Sequence, residues 1–327
     1  MQAANNAIVL RQHGGPEQLQ VEPIPVGVPG PGELLLRHTA IGVNFHDTYV
    51  RSGAYRTLAL PGIPGIEAAG VVEEAGENDQ GFSAGDRVVY VDAHYGAYSQ
   101  RRLLSAKLAV RLPAGISDVT AAGVAVKGLT ACVLLTRVHQ VQAGETLLVH
   151  AAAGGVGRLL VQWAKHLGAR VIGTVGSEEK AQLAVACGAD ATILYRSENV
   201  PERVRQITGG RGVDVVYDSV GNDTFLDSLE SLATFGTLVS FGQSSGAVRP
   251  FSISLLAARS TSVTRPYLFH YISERAALES LAAQTFAALL AQVIRVQIAL
   301  QLPLVQAGDA HRAMESRATS GSVVLIP

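Results

Sequence analysis

Ala151-Ala152-Ala153-Gly154-Gly155-Val156-Gly157 is the stretch of this chain best suited to chemistry. The apolar run Leu147-Leu148-Val149 leads into it, and a helical pattern follows at once. Small residues let the backbone bend tightly and approach a pyrophosphate, whose charge then rests on free N–H groups at a helix N-terminus. A glycine-rich hexapeptide alone is weak; its place between a strand and a helix raises its worth. The expected ligand is a dinucleotide whose pyrophosphate is held by Gly154, Gly155, Val156 and Gly157.

A site for NAD usually offers an acidic side chain to the ribose about 20 residues after the glycines. Here Val175-Gly176-Ser177 fills that stretch, so the strand tip carries no carboxylate. Lys180 follows, and Tyr195-Arg196 closes the next apolar run, where both can reach the same corner. Cations and hydroxyls in place of an acid suit a 2′-phosphate, which favours NADPH over NADH. Glu178 and Glu179 read as first-turn helix residues favoured by the helix dipole. Lys180 taken alone is as readily a solvated helix residue. The missing acid is the stronger half of the argument.

These residues need a scaffold, and the pattern around them supplies one. Val156, Leu159, Leu160, Trp163 and Leu167 recur at three- and four-residue spacing, which predicts a helix over 156–167 closed by Gly168. Apolar strands are expected at 171–175, 191–195, 213–218 and 237–241, with helices at 178–187, 199–208 and 223–233. Strand and helix alternating at short intervals imply parallel pairing with right-handed crossovers, in a doubly wound α/β sheet. The first 125 residues differ: proline- and glycine-rich turns separate short runs at 34–38, 70–74 and 87–91, as in an irregular β-rich barrel. After Phe241 a long helix over 274–293, a short one over 309–315 and a strand over 322–326 are expected to return to that β-rich domain.

Composition narrows the function. The 327 residues are 48% hydrophobic and 16% charged, as in a compact enzyme with a large core. A net charge of −1 provides no broad basic field for nucleic acid. No apolar run long enough for a bilayer and no signal peptide are expected, since the start is polar. Two cysteines, Cys132 and Cys187, cannot build a disulfide framework and suggest a reducing compartment. Both sit in apolar helical patterns and read as core residues.

Taken together, Gly42-Val43-Asn44-Phe45-His46-Asp47, Arg51-Ser52-Gly53-Ala54-Tyr55, Gly65-Ile66-Glu67-Ala68-Ala69-Gly70, Ala84-Gly85-Asp86-Arg87-Val88 and Lys127-Gly128-Leu129-Thr130 resemble a known family. With Ala151 to Gly157, Tyr217-Asp218-Ser219-Val220-Gly221, Ser240-Phe241-Gly242 and Glu315-Ser316-Arg317-Ala318-Thr319, the chain is similar over nearly its whole length to the zinc-free quinone oxidoreductases. These zeta-crystallin relatives belong to the medium-chain dehydrogenase/reductase superfamily. The resemblance implies a GroES-like catalytic domain over 1–125 and 269–327, and an NADPH-binding Rossmann domain over 126–268.

It also implies roles. Asn44, Tyr49 and Tyr55 would be catalytic, Asn44 donating to a carbonyl oxygen and the tyrosines forming a flat wall with hydroxyl donors. Ordinary aromatic packing explains either tyrosine alone nearly as well. Lys127 and Thr130 would lie near the nicotinamide, and Ser177, Lys180 and Tyr195 at the adenosine phosphate. Ser219 with Phe241 and Gly242 would flank the ribose and carboxamide, and Arg317 would close over the cofactor. Asp47 is read as fixing loop geometry, and Glu67 as a buried brace paired with Arg51. His46 departs from the aliphatic residue general in the family and reads as a polar residue at the pocket edge.

Zinc-dependent members place Cys where this chain has Asn44 and His where it has Ile66, and two distant cysteines cannot form a four-cysteine zinc lobe. No metal is expected, so alcohol oxidation is disfavoured and an acceptor that is already electron-poor is implied. The expected function is NADPH-dependent reduction of a small-molecule quinone by hydride transfer, in a cytoplasmic homodimer paired through sheet edges near 260–267. Two alternatives stay open: an NADPH-dependent alkenal or enone reductase, and a crystallin-like RNA-binding protein, against which the neutral charge speaks.

Overall fold

The computed structural model describes residues 5–316 and 319–327. Arg317, assigned above to the cofactor, lies outside the described residues. The chain divides into two compact units. The first takes the chain up to Leu129, then Ile272–Leu290 and the part from Val296 onward; the second is Thr130–Tyr271 with Ala291–Arg295.

The first unit opens with a hairpin of β1 (Asn6–Leu10) and β2 (Leu19–Pro23). There follow β3 (Glu33–Val43), α1 (Phe45–Ser52), β4 (Glu67–Ala75), β5 (Arg87–Val91), β6 (Arg101–Ser105), β7 (Ala109–Arg111) and α2 (Asp118–Val133). Along β3, Leu34, Leu36, His38 and Ala40 are buried while Arg37 is exposed, the two-residue period of a strand with one face on a core. That core gathers Leu34, Leu36, Ile41, Tyr90, Tyr98 and Leu104, among others. The 274–293 expectation shortens to a helix over Arg275–Leu290 in this unit, where the Arg275 guanidinium donates to the carbonyls of Ala106 and Lys107.

The second unit holds β8 (Thr146–Val149), α3 (Gly155–His166), β9 (Arg170–Val175), α4 (Glu178–Ala186), β10 (Ala191–Leu194), α5 (Val200–Ile207), β11 (Val213–Asp218), α6 (Phe225–Ser231), β12 (Leu232–Ser240) and β13 (Ser262–Thr264). Its strands lie in the order β10-β9-β8-β11-β12-β13, and every pairing is parallel. This is the doubly wound order in which the direction of winding reverses between the first and fourth strands, here β8 and β11. Leu148, Ile172, Ile193, Val216 and Leu238 form its core. α6 ends two residues short of the expected 233, and β12 begins five before the expected 237. Leu232 pairs with Val213 and is fully buried, so the sheet claims residues whose helical pattern is equally good.

The chain then returns to the first unit. Past α7 (Leu268–Tyr271) and α8 (Arg275–Leu290), β14 (Ile298–Pro303) pairs parallel with β15 (Ser322–Ile326), which runs antiparallel to β3, and α9 spans Ala307–Glu315. One expectation is corrected by the long helix: the helical stretch Asp118–Val138 is long and apolar enough to cross a membrane by composition. With 72% of its most apolar window buried, it has the burial of a core helix.

Gly157, in the first turn of α3, has no room for a side chain. A Cβ there would lie 2.2 Å from the Ala151 carbonyl oxygen and 3.0 Å from Ala152 Cα. Gly157→Val is therefore expected to push α3 off the turn after β8, lowering Tm by about 5 °C or more and abolishing dinucleotide affinity. An unchanged Tm and titration would show that the helix does not need this close approach.

Candidate functional site

In the second unit, the predicted cofactor residues gather at the carboxyl ends of the central strands, where open α/β sheets bind ligands. Gly154 caps α3 in an extended conformation and donates its N–H to the Ala151 carbonyl at 2.8 Å. Gly155, Val156 and Gly157 form the first turn, whose N–H groups have no partner inside the helix and face an anion readily. Asp218, fully buried at the end of β11, accepts the N–H groups of Val220 and Gly221 and the Thr224 hydroxyl, which shapes the Ser219 turn. A Cβ on Gly242 would lie 2.4 Å from the Ser219 carbonyl oxygen, so the turns after β11 and β12 touch. Ser219, Phe241 and Gly242 are thus brought together as expected.

Two supports of this crevice escaped the sequence reading. Arg265 donates to the carbonyls of Ser240 and Gly242, at 3.1 and 2.9 Å, and clamps the second turn. His150, which follows β8, lies 2.9 Å from the Thr174 hydroxyl and 3.0 Å from that of Ser228, which in turn donates to Asp218 at 3.3 Å. The only hint was a polar residue directly after an apolar strand. Ser, His and Asp are present, but the serine lies between the other two and all three are buried, so this is a brace and no hydrolytic triad. Burial lowers the His150 pKa, which keeps the imidazole neutral.

At the other end of the crevice, Gly176 lies under Tyr195 and Arg196. A Cβ there would be 2.8 Å from the tyrosine hydroxyl and 3.5 Å from the guanidinium Nε. Ser177 caps α4 by accepting the Lys180 N–H at 3.3 Å, which leaves its own hydroxyl proton for an acceptor. Ser177, Lys180, Tyr195 and Arg196 therefore share one corner, with Glu178 and Glu179 in the first turn of α4. Thr130 is half-buried in α2, three residues after Lys127.

In the first unit, the end of β3 delivers Asn44 to the start of α1. Its backbone N–H donates to the Asp47 carboxylate at 2.8 Å, and the buried side chain turns elsewhere. Asn44 Oδ1 accepts from Lys127 Nζ at 2.9 Å, and Nδ2 donates to Glu67 Oε1 at 2.7 Å. Lysine only donates and a carboxylate only accepts, so the amide cannot flip, and one N–H remains for an incoming oxygen. Glu67 is fully buried and also accepts the Val126 N–H.

Here one expectation changes. Glu67 pairs with Lys127, while Arg51 pairs with Glu315 on α9 and donates to the Gly14 carbonyl. The reason is topological: β15 beside β3 brings α9 to α1, whereas α2 brings Lys127 to β4. The Lys127 ammonium lies 3.4 Å from Val43 O, 2.9 Å from Asn44 Oδ1 and 3.4 Å from Glu67 Oε1.

Tyr49 and Tyr55 meet edge to face at 5.1 Å, and His46 meets Tyr55 at 5.5 Å. Tyr95, which no motif indicated, stacks on His46 at 5.9 Å. Both expected tyrosines therefore belong to one aromatic cluster, whose hydroxyls can donate to an oxygen. Among the described residues, no three His, Cys, Asp or Glu side chains are grouped to hold a metal ion. Cys132 and Cys187 are thiols, the first buried.

A six-stranded doubly wound unit and a β-rich unit with this amide at its heart together define a medium-chain dehydrogenase/reductase. A zinc-binding dehydrogenase family model matches residues 155–284, and an alcohol dehydrogenase GroES-like domain model matches residues 30–123. Quinone oxidoreductase 1 of Escherichia coli (strain K12) is 46% identical over 323 residues, covering 98% of this chain and 99% of that protein. A 2-haloacrylate reductase from a Burkholderia species is 44% identical over 328 residues, 98% of each chain. The crystal structure of Escherichia coli quinone oxidoreductase complexed with NADPH superposes with a TM-score of 0.96, covering 98% of this chain and 100% of that one. Within the superfamily, the chain belongs to the quinone oxidoreductase family.

Burial pushes the Asp47 carboxyl up to about 7; the Asn44 N–H pulls against this, and nearby Glu67 adds to it. Its ordinary value is 3.8, so the folded state holds a proton that the unfolded chain releases between those limits. Asp47 thus favours folding below about pH 4, and that contribution is lost as pH rises through about 7. Asp47→Asn is expected to gain Tm relative to the parent from pH 4 to pH 7 and to hold that gain above. A Tm difference independent of pH would show that the fold does not disfavour the carboxylate.

Proposed function

We propose that this protein reduces quinones with NADPH, by hydride transfer that needs no metal. The observation that carries the reading is the Asn44 amide, locked by Lys127 and Glu67 with one N–H open, at the N-terminal cap of the helix that carries Tyr49 of the tyrosine cluster. Bound NADPH supplies the hydride. Gly154 to Gly157 would hold its pyrophosphate, Ser219, Phe241 and Gly242 its ribose and carboxamide, and Ser177, Lys180, Tyr195 and Arg196 its 2′-phosphate.

The chain's own groups then have to place the acceptor and stabilise the charge that develops on it. A quinone is electron-poor already, so a preorganised donor such as Asn44 on one carbonyl oxygen serves in place of a Lewis acid. Where zinc-dependent relatives keep a thiolate and an imidazole, Asn44 and Ile66 present an amide and a hydrocarbon. Charge also bears on the choice of acceptor. A haloacrylate carries a carboxylate that calls for a cation, yet Lys127 and Arg51 are already ion-paired, and burial lowers His46 to about 4 and keeps it neutral. This favours the neutral quinone.

We further propose a homodimer in the cytoplasm. β13 is an open edge of the parallel sheet, as the 260–267 expectation has it. Phe235 and Ile253, on the chain leading to it, are 79% and 78% exposed. Unpaired strand groups beside exposed apolar side chains suit a second copy. Two cysteines, too few for a disulfide framework, suit a reducing compartment.

With NADPH, kcat/KM for p-benzoquinone is expected to exceed that for crotonaldehyde, and a large preference for the aldehyde overturns the choice of substrate. Lys180→Glu and Arg196→Glu should each weaken NADPH about tenfold or more while sparing NADH; equal losses would refute the phosphate assignment. Ile253→Asp is expected to shift the protein from dimer to monomer in sedimentation, and a parent that sediments as a monomer removes the dimer.

A further inference from the structure

His46 has no task in the reaction outlined above, yet it links two tyrosines of the aromatic cluster, Tyr55 and Tyr95. Its edge meets Tyr55 with the planes at 64°, and Tyr55 meets Tyr49 at 65°, so Tyr55 is held between two rings. On its other side His46 stacks on Tyr95, and its Nε2 lies 3.2 Å from the Tyr95 hydroxyl. The same hydroxyl makes a short contact with Thr57 Oγ1. Tyr55 and Thr57 stand on the loop that leaves α1 at Gly53, whereas Tyr95 belongs to the connection between β5 and β6. One hydroxyl therefore ties the loop to both the helix and the barrel.

The structure holds Tyr95 in place at some cost. Its φ is +66°, a region that bulky side chains rarely adopt, and its ring is 4% exposed. Arg102 pins the conformation by donating to the Tyr95 carbonyl at 2.6 Å and to Asp92 at 2.8 Å. An outlier kept by its surroundings is grounds for a functional hypothesis.

We propose that the His46–Tyr95 pair, joined to Thr57, fixes the orientation of the Tyr55 ring and so sets the pocket's preference for flat conjugated-ring acceptors over short aliphatic ones. The inference rests on the quinone-reductase reading given above. His46 and Tyr95 are positioning residues: they act through Tyr55. A flat conjugated ring packs well on an aromatic side chain only when that side chain holds a suitable offset or edge-on pose. A Tyr55 free to turn would lose that freedom on binding, and the loss would appear in affinity. A short alkenal makes no such pairing and is indifferent to the ring's pose. The imidazole suits the role because burial keeps it uncharged, so its stacking and its hydrogen bond do not vary across the neutral range.

The test uses the full-length protein with Tyr95→Phe, which keeps the ring and removes the hydroxyl, and His46→Val, which installs an aliphatic side chain. Thr57→Val is the second line, because its exposed site tolerates change if the buried variants fail to fold. KM and kcat are measured for p-benzoquinone and for crotonaldehyde, with NADPH affinity by titration. Tyr95→Phe and His46→Val are expected to raise the quinone KM about tenfold with kcat, the aldehyde KM and NADPH affinity within about twofold. Thr57→Val should move the quinone KM in the same direction by less. Unchanged quinone KM values, or equal rises for both acceptors, overturn the inference while leaving the quinone reading intact. A parent enzyme that reduces no quinone removes the reading itself.

Discussion

The fully buried carboxylate of Glu67 is the constraint around which the first unit is arranged. An ionised carboxylate taken out of water is costly unless partners surround it, and removing one partner of such a pair typically costs about 3–5 kcal/mol. Here the partners come from three directions: the Lys127 ammonium, the Asn44 amide and the Val126 N–H at 2.6 Å. Satisfying this one group forces β4, the end of β3 and α2 to converge. Gly42 shows how tightly they do so, because a Cβ there would lie 2.2 Å from both Glu67 Oε1 and the Ala122 carbonyl. The fixed amide of Asn44 is thus a by-product of charge burial, and its orientation follows from which neighbour donates and which accepts.

A second buried layer lies on α1 itself. Asp47 accepts the Asn44 N–H and the Tyr98 hydroxyl, and Tyr98 also lies 3.0 Å from His311 Nε2 on α9. Burial lowers the His311 pKa to about 3, so this ring is neutral and serves as a hydrogen-bonding strut. Together with Arg51 and Glu315 it anchors α1 to the C-terminal helix at two points. A helix of eight residues has little stability of its own, so its position is set by these tertiary contacts.

The second unit follows a different logic. Its parallel sheet packs an apolar core of Leu148, Ile172, Ile193, Val216 and Leu238, and the residues expected to hold the cofactor stand at turns beyond the strand ends. Each turn is shaped by a polar side chain beside it: the buried Asp218 at Ser219, the exposed Arg265 at Gly242, and the buried His150 before Ala151. Rigid turns that present backbone N–H groups bind a charged cofactor without reorganising, which is the usual economy of preorganised sites.

Patterns of period two and 3.6 were enough to read the doubly wound unit from residues alone, because a sheet covered on both faces must be written in uninterrupted apolar runs. The turn from Ala151 to Gly157 and the lack of an acid after Val175 are likewise local, so the cofactor reading needed no coordinates of neighbours. Contacts far apart in sequence were not legible. Nothing near Glu67 announces that its partner is Lys127 and not Arg51, since that choice depends on α2 lying on β4 and α9 on α1. Tyr95 has no motif, and only the return of the β5–β6 connection to α1 places its hydroxyl against His46. Local spacing decided the elements and the nucleotide; burial of charge among distant segments decided which side chains stand free to act.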